Sequence, residues 1–142
     1  MRAVLDANIV VGFLLTKGHI TSSIFEYWEH KTFTLLVSDE IVQEFSDVLD
    51  RLIKKDLIRT ADAKNLLRKI NRNAKKIKIR SKLKVSLDKK DDRYIECAKD
   101  GKADYIVSRD KKHLLNLVKF RGTKIITPGE FLEILKNVDY RN

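Results

Sequence analysis

The chain has few of the residues that punctuate or cross-link a fold: one cysteine, one proline and five glycines among 142 residues. The lone Cys97 leaves no disulfide framework and no thiolate zinc cluster, and fits a reducing compartment. Its setting, Ile95-Glu96-Cys97-Ala98, reads as a buried structural thiol on a helix. Scarce, scattered glycine removes the phosphate-cradling loops: there is no P-loop, no GxGxxG and no nucleophile elbow. His19, His30 and His113 lack metal-ligand spacing and are expected on the surface. No apolar run approaches the ~18 residues of a membrane span. The opening MRAVLDANIVVGFLL is broken by Asp6, so neither a signal peptide nor an anchor is expected. The expectation is one cytoplasmic domain over residues 1–142, with 43% hydrophobic and 35% charged residues placing it among globular rather than disordered chains.

Positive charge is abundant but unevenly placed. The net charge is +10, yet from Arg51 to Lys84 there are 14 basic residues against only Asp56 and Asp62. The rest of the chain holds 16 basic and 18 acidic groups, so the whole excess lies in one middle segment. A solvated helical face would account for such a run. An electrostatic platform for a polyanion accounts for its polarisation as well.

Hydrophobic patterning gives alternating strands and helices. RAVL (2–5) reads as a buried strand stopping at Asp6, and FTLLV (33–37) as a second, ending at Ser38. ADYIV (103–107) ends at Ser108, and Lys124 to Ile126 is a last strand. Ile77 to Ile79 is a further candidate strand. Between these, Ile20, Ile24, Phe25 and Trp28 have helical spacing, as do Ile41, Phe45, Val48, Leu49 and Leu52. Thr60 can cap a helix striped by Ala63, Leu66, Leu67 and Ile70. Another helix carries Tyr94, Ile95 and Ala98 and stops at Gly101, and one is expected from about Asp110. Thr127-Pro128-Gly129-Glu130 has the capping threonine, first-position proline and third-position glutamate of a helix start. Short, wholly apolar strands alternating with helices imply a three-layer α/β/α sandwich around a central, mostly parallel sheet.

In such a sheet, ligands bind outside the carboxyl ends of the strands. The residues found there are Asp6, Ser38, Asp88–Asp92 and Ser108–Asp110. Helix dipoles explain any one acid. A convergent set repels itself unless a cation neutralises it, and oxygen-only donors suit Mg²⁺ or Mn²⁺ rather than zinc.

Four segments, in order along nearly the whole chain, carry a resemblance. They are Leu5-Asp6-Ala7-Asn8, the helix start Ser38 to Glu44, the acidic turn and apolar helix Asp88 to Ala98, and Ala103 to Asp110 ending in Ser-Arg-Asp. The chain resembles the PIN-domain family of metal-dependent ribonucleases, and within it the toxin-like group related to VapC. The resemblance implies that Asp6, Glu44, Asp91 and Asp110 are the catalytic, metal-holding acids. Asn8 and Ser108 then orient them. Asp92 stands where related sequences more usually carry Asn, and Ala7 and Arg109 also depart from the family pattern. Helix register favours Asp91 over Asp92 as the ligand, with Asp88 a supporting or capping group. Asp39 and Glu40 fit a helix first turn, Asp47 and Asp50 a solvated face, and Asp104 the opposite end of its strand.

The implied activity is hydrolysis of RNA phosphodiesters with one or two Mg²⁺ or Mn²⁺ ions, leaving 5′-phosphate and 3′-hydroxyl ends. The resemblance also implies a small antitoxin partner and a homodimer. The basic segment would guide RNA toward the acids, with Arg72, Lys75, Lys76 and Arg109 as candidate contacts. Two alternatives stand beside this reading: a non-toxin RNA-processing or flap nuclease, and a catalytically silent nucleic-acid-binding module.

Overall fold

Short apolar runs bounded by polar residues form the sheet. In the computed structural model, which describes residues 1–16, 18–80, 89–109 and 122–141 (89–92 and 139–141 as backbone only), the strands are β1 (Arg2–Leu5), β2 (Thr34–Val37), β3 (Lys75–Lys76), β4 (Tyr105–Val107) and β5 (Lys124–Ile126). All pairings are parallel, in the order β3-β2-β1-β4-β5. Leu5, Leu36 and Ile106 are fully buried, as expected where helices cover both faces of a parallel sheet. The covering helices are α1 (Ala7–Leu15), α2 (His19–Glu29), α3 (Asp39–Lys54), α4 (Thr60–Asn73), α5 (Lys89–Asp100) and α6 (Pro128–Arg141). The expected α/β/α sandwich is the observed architecture. No helix among the described residues is long and apolar enough to cross a membrane.

Helix ends follow local chemistry. Ser38 caps α3, its Oγ accepting the Ile41 N–H at 3.2 Å. Asp39 and Glu40 occupy the first turn and Arg51 and Lys54 the last, each sign at the favourable dipole end. The capping box read in the sequence forms at α6: Thr127 N–H donates to Glu130 Oε1 at 3.1 Å and Glu130 N–H to Thr127 Oγ1 at 3.2 Å.

Some elements differ from the sequence expectation. The third strand is Lys75–Lys76, not Ile77 to Ile79. Its ladder pairs Leu36 with Lys75 and Val37 with Lys76, and Ile77 and Ile79 pack half-buried on the core beyond it. Thr60 is the first residue of α4 rather than its cap; Arg59 precedes the helix with no side-chain cap bond. The whole of α1 was not anticipated. Its sequence ANIVVGFLL is apolar nearly all round: Ile9, Val10 and Gly12 are buried where α1 packs on α2 and α3, Phe13 and Leu14 are half-buried, and Leu15 is exposed. The helix expected from about Asp110 and the turn at Asp88 lie outside the described residues.

Candidate active site

Chain order and strand order part company at β1. From β1 the chain builds outward through β2 to β3, then returns to the other side of β1 with β4 and β5. The carboxyl ends of β1 and β4 therefore flank the switch point, where an open parallel sheet leaves a crevice. Asp6 follows β1 and Ser108 follows β4. Asp6 N–H still donates to Val107 O at 3.2 Å, so the last rung of the ladder holds the two ends together.

The Ser108 hydroxyl donates to Asp6 Oδ2. Asp6 Oδ1 accepts the Ile9 N–H at 3.3 Å, making Asp6 the N-cap of α1. Ser108 is fully buried and Asp6 is 8% exposed, so the carboxylate sits in a largely water-excluded setting with its edge at the surface.

Glu44 arrives from α3. Ile41 and Phe45 point into the core, and this orientation leaves Glu44 at the rim with 12% of its side chain exposed. Two residues of α5 reach it. The Tyr94 hydroxyl donates to Glu44 Oε2 at 2.7 Å and accepts the Ala7 N–H at 3.1 Å. Arg93 places Nη1 3.8 Å from the same oxygen and Nε 3.9 Å from Glu40 Oε2. Burial, reinforced by the Glu44 carboxylate, pushes the Tyr94 hydroxyl far above its ordinary range, so it stays protonated. Asp6 also contributes to that shift, which brings both carboxylates into the field of one hydroxyl.

The structure thus brings together Asp6, Ser108 and Glu44. Asp91 and Asp92 fall in the first turn of α5, the helix that carries Arg93 and Tyr94, but their side chains lie outside the described residues. Asp88 and Asp110 lie outside them entirely. Asn8 is exposed in the first turn of α1. Among the described residues, no three His, Cys, Asp or Glu side chains stand close enough to hold a metal ion. The described pair, Asp6 and Glu44, supplies only carboxylate oxygens, a donor set that fits a hard divalent cation.

The basic candidates separate into two groups. Lys75 and Lys76 are exposed on β3, beside the carboxyl end of β2, and Lys76 Nζ lies 3.3 Å from Asp39 Oδ1 at the start of α3. Arg72 instead lines a groove with Glu29, Phe33 and Thr34, near the amino end of β2 and away from the acids. Arg109 is exposed and lays its guanidinium over Gly12 of α1, where an added Cβ would stand 3.1 Å from Nη2. Two of the acids set aside earlier have partners elsewhere. Asp104 accepts the Arg2 N–H at 2.8 Å at the amino end of the sheet, and Asp47 accepts from Gln43 Nε2 at 2.9 Å. His19 and His30 are exposed, and Cys97 is buried. Sequence reasoning missed Arg93 and Tyr94; the one available signal was that Tyr94 falls three residues after Asp91, on the same helix face.

A family model for the PIN domain matches residues 2–112. The chain belongs to the PIN-domain family. No curated protein and no solved structure matches it significantly. PIN domains are generally nucleases that use divalent metal ions and act on nucleic acids, and the match spans Asp6, Glu44, Asp91 and Asp110. The fold family and the donor chemistry of the crevice agree.

Proposed function

We propose that this PIN domain is a divalent-metal-dependent endoribonuclease, and the toxin of a type II toxin–antitoxin pair. The observation that carries the nuclease reading is the meeting of Asp6 and Glu44 at the sheet's switch point, each held by a hydroxyl from another element. Asp6, Glu44, Asp91 and Asp110 are assigned as the residues that would hold Mg²⁺ or Mn²⁺. When bound, such an ion supplies water activation near neutral pH and charge neutralisation at the phosphate.

The chain's own groups do the positioning. Ser108 and the α1 N-terminus fix both oxygens of Asp6, and Tyr94 fixes Glu44. Arg93, half-exposed beside Glu44, is placed to meet a phosphate oxygen entering the crevice. Lys75 and Lys76 offer positive potential at the adjacent sheet edge, which offsets repulsion between an acidic pocket and an RNA backbone. Arg72 lies instead beside Thr34, near the amino end of β2. No side-chain nucleophile is required for hydrolysis by water. The toxin assignment, with its small antitoxin and homodimer, rests on the resemblance to the VapC-like group, as does the cytoplasmic location.

The test is cleavage of a structured RNA with Mn²⁺ or with EDTA, using the parent and Asp6→Asn/Asp91→Asn. Cleavage by the parent with Mn²⁺ alone is expected, with a loss of several orders of magnitude in the double variant. Unchanged cleavage in that folded variant would falsify the site. Growth arrest of a bacterial host on expression, relieved by Asp6→Asn, tests the toxin role; a parent that cuts RNA without harming growth favours a processing nuclease.

A further inference from the structure

We propose that Tyr94 is a positioning residue of this site, its hydroxyl setting the orientation of Glu44 relative to Asp6 and thereby the affinity for the metal. The inference rests on the nuclease reading above and deepens it.

Three elements meet at one oxygen. Tyr94 comes from α5, donates to Glu44 of α3 at 2.7 Å, and accepts at 3.1 Å from Ala7, the first residue of α1 and the covalent neighbour of Asp6. The Ala7 N–H is one of the helix N-terminal donors that lack an intrahelical acceptor. By using it, the hydroxyl ties Glu44 to the backbone that carries Asp6. The tyrosine cannot wander, because it is 4% exposed and lies beside the fully buried Ile95.

Glu44 has three rotatable bonds and no other short contact among the described residues. Arg93 approaches at 3.8 Å, beyond hydrogen-bond reach, and toward the same Oε2. Both groups therefore engage Oε2, and among the described residues Oε1 has no protein partner. That leaves Oε1 for a cation in a geometry set by Tyr94. Packing alone does not call for the hydroxyl. Phenylalanine would fill the same ring volume, and a buried phenol is tolerated only where its O–H finds partners. Here the partners are the Glu44 carboxylate and the N–H of Ala7, the residue after Asp6. The arrangement is an outer partner that aims a ligand, a role whose removal costs about 10–100-fold in metal affinity or activity.

The experiment is calorimetric titration of Mn²⁺ into the parent, Tyr94→Phe, Glu44→Ala and the double variant, each checked for fold by circular dichroism in EDTA. Tyr94→Phe should weaken Mn²⁺ binding by about 10–100-fold. In the Glu44→Ala background the same change should cost nothing further, since Tyr94 acts through Glu44. Affinity within twofold of the parent overturns the proposal, and so does an equal loss in both backgrounds, which marks a structural role. A parent that binds no Mn²⁺ removes the nuclease reading and this inference together. Loss in Glu44→Ala with none in Tyr94→Phe removes the inference alone. Should Tyr94→Phe fail to fold, fluorotyrosine-labelled protein provides the readout. The fluorine resonance of Tyr94, identified through Tyr27→Phe, Tyr105→Phe and Tyr140→Phe, should move on Mg²⁺ addition in the parent and stay fixed in Glu44→Ala. A Tyr94 resonance that ignores a metal known to bind overturns the proposal.

Discussion

Replacing Gly101 by alanine should destabilise the protein, although alanine is the better helix former by about 1 kcal/mol. Gly101 follows the last residue of α5, and a glycine at a helix end usually supplies a left-handed backbone. Here that conformation belongs to Lys102, at φ 53. The Ala103 N–H donates to Ala98 O at 2.8 Å and the Lys102 N–H to Lys99 O at 3.2 Å, the paired bonds of a Schellman end with lysine at its left-handed position. Gly101 is needed for space instead. A Cβ there would stand 2.8 Å from Leu36 Cδ1, 2.9 Å from Cys97 O and 3.0 Å from Ile77 Cγ1. Leu36 is fully buried and Cys97 O is backbone, so neither gives way easily. Overpacking of this kind costs about 1–3 kcal/mol, which outweighs the propensity gain and leaves a net loss near 1 kcal/mol. Lys102→Gly should do the reverse, relieving about 1–2 kcal/mol of left-handed strain. Urea unfolding followed by the fluorescence of Trp28, the sole tryptophan and itself buried, measures both. With a slope of about 1–3 kcal/mol per molar urea, the midpoint should move down by roughly 0.3–1 M for Gly101→Ala and up by roughly 0.3–2 M for Lys102→Gly. A Gly101→Ala midpoint at or above the parent's would refute the steric argument.

Two further outcomes follow from charge and burial. Lys75→Glu with Lys76→Glu should raise the Michaelis constant for RNA and flatten its salt dependence, because both ammonium groups are exposed at the sheet edge beside α3; equal salt slopes for variant and parent count against a role in RNA approach. Burial, with Asp100 adding to it, pushes the Cys97 thiol up to about 12. A raised folded-state value means that its contribution is complete below the ordinary thiol pKa and is lost as pH climbs toward about 12. The urea midpoint of the parent should therefore fall more steeply above pH 9.0 than that of Cys97→Ala, and native Cys97 should resist alkylation at pH 8; parallel pH profiles would remove the burial argument.

How much of this was readable in advance depended on whether a residue obeys a period. β1, β2, β4 and β5 are short apolar runs that end at a polar residue, and burial on both faces makes such runs conspicuous. The capping box of α6 was legible because its residues are rare in combination. By contrast, α1 hides its period: half-buried Phe13 and Leu14 and exposed Leu15 extend the apolar character beyond the buried face, and ANIVVGFLL reads equally as a strand. β3 hides for the opposite reason. It is two lysines on a sheet edge, where ladder bonds need no apolar side chain, so Ile77 and Ile79 drew the assignment past its true position. In the site, Asp6 and Ser108 were visible as strand ends. Glu44 came through the family resemblance. Tyr94 stands in the sequence only as part of a helix with Ile95 and Ala98, and an aromatic at helical spacing gives no sign that its hydroxyl faces an acid.

The polar residues that end the strands separate structure from chemistry. Ser38 and Thr127 each use a hydroxyl to cap the helix that follows. Asp6 caps α1 in the same manner, and serine would cap it about as well. Capping therefore does not account for a carboxylate that is 8% exposed, since burying a charge is costly where a neutral oxygen would suffice. The second oxygen of Asp6 accepts from a buried serine on the neighbouring strand, and a second carboxylate is tethered to the next residue's N–H through Tyr94. Hydroxyls from neighbouring elements thus fix one oxygen each of two acids that flank the switch point. Stability alone does not call for that arrangement, whereas the proposed uptake of a divalent cation would use it.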